Sequence, residues 1–127
     1  MANENKSLWP DFEANSIVTP KAILLEQGKF LSEKTKNILE VEVVTSAQAN
    51  EGVILSFYIV APNMNNYKYL LLYIKHDITL YPLDVHMYST ELAYKCKDQE
   101  ALLVVLKDTF NHESTIKIIQ SLLAQSK

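Results

Sequence analysis

Asp84 and His86 stand two residues apart in a stretch, Leu83 to Tyr88, whose apolar and polar residues alternate. On a β-strand that spacing projects both side chains from one face. A carboxylate beside an imidazole can fix the ring's tautomer for proton transfer or for metal binding. Glu40 or Glu42, from another alternating stretch, would have to come alongside to complete such a site, because spacing supplies no third ligand. The plainer reading of the same pair is two polar residues on a solvated strand face, which alternation requires anyway. His76-Asp77 ends a strand without the helix-borne histidines and aspartates of hydrolase metal centres, and His112 falls at a junction between helices.

Cys96 is the only cysteine. It can form neither an internal disulfide nor a cysteine-based metal site, and a reducing, cytoplasmic setting is expected. Its parity with Leu92 and Tyr94 predicts a buried, inert thiol in place of a nucleophile. Ser56, Ser89 and Ser114 sit in no Gly-x-Ser-x-Gly context. Gly28 and Gly52 are the only glycines, too few for a phosphate loop or a dinucleotide fingerprint. The chain has no arginine and a net charge of −3. Both argue against nucleic acid, whose phosphates and guanines are most often read by arginine within a basic patch. No catalytic residue, metal ligand or cofactor is assigned. An enzyme or metal-dependent protein using Asp84 and His86 stands as the alternative.

The more telling residues are the tyrosines, all seven of which fall between Tyr58 and Tyr94. Unbroken alternation from Tyr67 puts Tyr67, Tyr69, Leu71, Tyr73 and Lys75 on one face of a strand and Leu70, Leu72 and Ile74 on the other. Carried across the neighbouring strands, it joins Glu40, Glu42, Ser56, Tyr58, Asp84, His86 and Tyr88 to the tyrosine face. Leu39, Val41, Val43, Leu55, Phe57, Ile59, Leu83, Val85 and Met87 complete the core. Tyrosine is enriched at protein interfaces. It also suits a solvated strand face, and the face could be covered by Trp9 and Phe12 or by a helix. The expected interaction set is Tyr58, Tyr67, Tyr69, Tyr73, Lys75, Asp84, His86 and Tyr88, together with Trp9. Its partner would be another protein or a second copy. A small apolar ligand carrier is the other alternative, with a cavity lined by Phe57, Leu72 and Met87.

These residues need elements to position them. Thr19-Pro20 is a helix start, with threonine as N-cap and proline at the first position. The stripe Leu24, Gly28, Leu31, Thr35, Ile38 predicts a helix over about 21–36, with Gly28 allowing close approach to a sheet. Period-two patterning then predicts strands around 39–43, 53–60, 67–75 and 83–88, with a short fifth over 92–96. Asp98 is placed to cap a helix carrying Leu102 and Leu106, and Asn111 or Ser114 to open a last one. The expectation is an α+β, two-layer fold in the order α-β-β-β-β-(β)-α-α. An antiparallel four- to five-stranded meander carries the N-terminal helix and two C-terminal helices on one face. Residues 19–127 form its single domain. Residues 1–18 form an extension, frayed at its tip and then docked through Trp9. The first residues are polar and show no signal-peptide core. The longest wholly apolar runs, Leu70–Ile74 and Ala101–Leu106, fall far short of a membrane span.

An N-terminal helix, a four-strand meander, Tyr81-Pro82 before the last strand, and then helices: this order resembles ubiquitin-conjugating-like and RWD-type domains. The chain lacks the His-Pro-Asn motif of the catalytic members, and Cys96 follows Tyr81-Pro82 too closely. The resemblance therefore implies a non-catalytic interaction module.

Overall fold

Thr19 opens the first helix as its sequence predicts. Its Oγ1 accepts the Ala22 amide at 3.1 Å, and Pro20 occupies the first position of α1 (Pro20–Lys34). In this computed structural model, which describes residues 6–13, 17–48 and 50–127, α1 is followed by five strands. These are β1 (Glu40–Gln48), β2 (Gly52–Ala61), β3 (Tyr67–His76), β4 (Leu83–Met87) and β5 (Leu92–Cys96), and then come α2 (Gln99–Phe110) and α3 (Glu113–Gln125). The strands form one antiparallel sheet in the order β1-β2-β3-β4-β5, the expected meander with the short fifth strand present.

Local chemistry sets the joins. At the end of α1, buried Thr35 donates to the Leu31 carbonyl at 3.0 Å and accepts the Leu39 amide at 3.2 Å, tying the helix to the entry of β1. The first hairpin needs Gly52. Its φ is +84°, and a Cβ there would lie 2.8 Å from the His76 carbonyl oxygen. Asp98 caps α2 by accepting the Ala101 amide at 2.9 Å. The last helix is capped by His112, whose Nδ1 accepts the Ser114 amide at 3.1 Å, where Asn111 or Ser114 was expected.

The core lies between the sheet and the helices. Leu24, Leu55, Phe57, Ile59, Leu72, Ile74, Leu83, Val85, Cys96, Leu102 and Leu106 are all buried there. Gly28 brings α1 against β1, because a Cβ on it would sit 2.7 Å from that of Val41. The Phe57 and Phe110 rings, 5.7 Å apart, join the sheet to α2.

The expected docking of the N-terminal extension is not what the structure holds. Leu8, Trp9 and Phe12 are 98, 78 and 73% exposed, and the Trp9 ring meets that of Phe12 at 6.3 Å. The segment is too short to bring a core of its own. Residues 1–5, on which the expected fraying would fall, and 14–16 lie outside the described residues.

Candidate interaction site

The tyrosine face is where the structure corrects the sequence. Ser56 pairs with Tyr73 and Phe57 with Leu72, but Tyr58 pairs with Leu70 and Ile59 with Tyr69. Leu71 is left without a partner, a β-bulge, and one extra residue reverses every side chain beyond it. Directly opposed residues share a face, so Tyr67 and Tyr69 lie on the helix side with Ala61 and Ile59. Leu71 turns into the core and is buried, while Leu70 turns outward. Lys68 gives an independent check. Its Nζ meets Glu42 Oε1 at 2.6 Å on the outer face, reaching across β2.

Of the expected interaction set, the outer face therefore keeps Tyr58, Tyr73, Lys75, Asp84 and His86. Tyr69 is half-buried against the core. Burial raises its hydroxyl above the ordinary tyrosine value; a hydrogen bond with Ser89 opposes the rise, and Tyr67 and Tyr88 add to it. Tyr88 lies beyond β4, in the turn to β5, and is exposed. Tyr94 faces the helix side as expected, opposite Val85, but on an edge strand it stays partly in solvent. Trp9, largely exposed, does not cover the tyrosine face.

The outer face runs in rows across the sheet. One row is Val44, Ser56, Tyr73, His86 and Ala93; the next is Ser46, Ile54, Lys75, Asp84 and Lys95. Below them come Glu42, Tyr58 and Leu70, then Glu40, Val60 and Lys68. Tyr73 and His86 stack with ring centroids 4.6 Å apart and planes within 8°. Asp84 sits between Lys75 and Lys95, its cross-strand neighbours. The carboxylates expected to join Asp84 and His86 are distant. Glu40 and Glu42 belong to β1, three strand spacings or about 14 Å from β4. Among the described residues no group of three His, Cys, Asp or Glu side chains is placed to hold a metal ion. Val44, Ile54 and Val60 are outer-face residues that alternation did not single out, and Leu70 is one that it assigned to the core.

The helix side carries a groove of about 410 Å3 between α1 and α2. Phe57, Ile59 and Leu71 form its floor, Phe30 and Leu31 one wall, and Leu103 and Phe110 the other, with Lys34 and Lys107 at the rim. It lies between sheet and helices, as a ligand cavity would. Phe57 lines it, whereas Leu72 and Met87 are sealed in the core and do not. Burial raises the Cys96 thiol above its ordinary value, with Asp84 and Asp98 adding to the effect.

Comparison with protein-family models, with curated proteins and with solved structures returned no match. The resemblance to ubiquitin-conjugating-like domains thus rests on element order and the Tyr81-Pro82 step alone. No helix among the described residues is long and apolar enough to cross a membrane.

Proposed function

We propose that this protein is a non-enzymatic module that binds another protein across the helix-free face of its sheet. One observation carries the reading. The outward positions Val44, Ile54, Tyr58, Leu70 and Tyr73 are apolar or aromatic and at least partly exposed, where a solvated antiparallel face would alternate to polar residues; Val60, also outward, is buried. They adjoin one another on three neighbouring strands and span roughly 300 Å2 in plan. That is the low end of the 300–600 Å2 typical of the largest patch on a monomer. Size is therefore neutral, and composition supplies the argument. Around the patch lie Glu42, Lys68, Lys75, Asp84 and Lys95, giving an apolar centre with a charged rim as protein interfaces have. Tyr58 and Tyr73 are the anchors. His86 extends the surface by stacking on Tyr73.

The test is affinity capture from the source cells with three forms of the full chain. A partner retained by wild type and by Tyr69→Ala, and lost by Tyr58→Ala/Tyr73→Ala, supports the reading. Retention of every partner by the double variant removes it.

A further inference from the structure

Two features lie away from the sheet face. One is the stretch Leu8–Phe12, whose three large apolar side chains stand in solvent. The other is the groove between α1 and α2, an apolar cleft with Lys34 and Lys107 at its rim. We propose that they meet across a dimer. The Leu8–Phe12 segment of one copy seats Trp9 and Phe12 in the groove of a second copy, and the second copy reciprocates.

Chemistry and size both favour that occupant. The segment brings aromatic anchors to a cleft floored by Phe57 and Leu71 and flanked by Phe30, a setting in which aromatic edges and faces pack well. It also brings charge of the right sign. Asp11 lies between the two aromatics and Glu13 follows them, opposite the lysines of the rim. The one ion pair among the described residues is Lys68–Glu42, which leaves Lys34 and Lys107 available to those carboxylates. Pro10 stiffens the segment between its anchors, so less freedom is lost on docking. Each aromatic side chain buries about 150–250 Å2. Two hooks carry four such side chains and bury on the order of 600–1,000 Å2, to which the groove walls add a few hundred, the size of a small, reversible interface. Each chain gives a hook and takes one, so the contact closes as a twofold pair. The interface is separate from the sheet face and does not rest on it.

Trp9 is the only tryptophan, so fluorescence excited at the red edge of the absorption band, where the seven tyrosines do not absorb, reads the hook alone. The experiment follows light-scattering mass and Trp9 emission together over a concentration series of the full chain. The expected result is twice the chain mass with blue-shifted emission, both reverting on dilution, with weaker association at high salt. Trp9→Ala and Leu103→Glu should each weaken dimerisation at least tenfold. Both change exposed side chains, so circular dichroism should stay native. Mixing them is the decisive arm. Trp9→Ala has an intact groove and Leu103→Glu an intact hook, so an equimolar mixture forms one intact contact of the two: it should associate more tightly than either variant alone, with blue-shifted emission, and less tightly than wild type. Tyr58→Ala/Tyr73→Ala should dimerise like wild type. A single-chain mass at every concentration overturns the proposal. It does so with solvated emission, as for a groove that takes a small apolar ligand, and with buried emission, as for a hook folded onto its own chain. A mixture that associates no more tightly than either variant alone, or a dimer abolished by the sheet-face variant, overturns it as well.

Discussion

Tyr69 and Tyr73 lie four residues apart in β3 and point to opposite faces of the sheet, because Leu71 between them has no partner on β2. Their losses should differ accordingly. Tyr69 packs on the core, so Tyr69→Ala should cost about 2 kcal/mol, the low end for truncating a large core side chain. Tyr73 loses an outer-face stack on His86, and Tyr73→Ala should cost about 1 kcal/mol or less. Urea unfolding of the two variants measures the difference, and equal costs would contradict the bulge.

The bulge was partly legible. Leu70-Leu71-Leu72 has no polar residue to mark which side is wet, so alternation can be carried straight through it. Lys68, however, shares parity with Leu72 and Ile74, and unbroken alternation would send its ammonium into the core. Lysine is almost never fully buried without a partner, so the parity had to change between Lys68 and Leu72. Helices and strands were readable because Thr19, Pro20 and Asp98 mark starts chemically and period two holds through β2 and β4. The groove was not readable. It depends on how α1 and α2 are spaced over Phe57 and Leu71, and no local pattern encodes that gap. Trp9 misled for a related reason: a solvated tryptophan is costly, but the cost says nothing about which molecule relieves it.

Gly28 and Gly52 exclude a side chain for different reasons, and alanine should separate them. At Gly28 the obstacle is the Cβ of Val41, fixed in β1, so overpacking of about 1–3 kcal/mol is set against a gain of about 1 kcal/mol in helix propensity. Gly28→Ala should be destabilising by up to about 2 kcal/mol. At Gly52 the obstacle is the His76 backbone and φ is positive, so nothing offsets the strain. Gly52→Ala should cost more than Gly28→Ala in thermal or urea unfolding. The reverse order would mean that the hairpin gives way more easily than the helix–sheet contact.

Alkaline pH should weaken the fold. Burial holds the Cys96 thiol above its ordinary 9.0, with Asp84 and Asp98 adding to it. Burial likewise holds the Tyr81 hydroxyl above 10.0, with Cys96 and Asp98 contributing. The native state keeps these protons where the unfolded chain releases them, so the unfolded state binds fewer and stability falls as pH rises. Full stability is expected below about pH 9, then a decline that begins with the thiol and steepens as tyrosine starts to ionise. Cys96→Ala should flatten the first part of that decline and soften the second, because Cys96 adds to the rise at Tyr81 while burial, the larger cause, remains. Urea midpoints from pH 7 to 11 test this, and an unchanged profile in the variant would assign the decline to other groups.

Among the described residues, two buried hydroxyls have no hydrogen-bond partner, Tyr81 Oη and Thr115 Oγ1. Thr115 is fully buried, near the start of α3. An unpaired buried polar group carries a desolvation penalty of about 1–3 kcal/mol that the native contacts do not return. Removing the oxygen while keeping the shape should relieve it, so Tyr81→Phe and Thr115→Val are each expected to leave stability unchanged or raise it by about 1 kcal/mol. Thr35 supplies the contrast. Its Oγ1 is also buried but donates to the Leu31 carbonyl and accepts the Leu39 amide. Thr35→Val leaves that amide unpaired where α1 joins β1, and should cost about 1–3 kcal/mol. Parallel urea titrations of the three variants decide the matter: if Tyr81→Phe or Thr115→Val is as damaging as Thr35→Val, that hydroxyl is held by an ordered water.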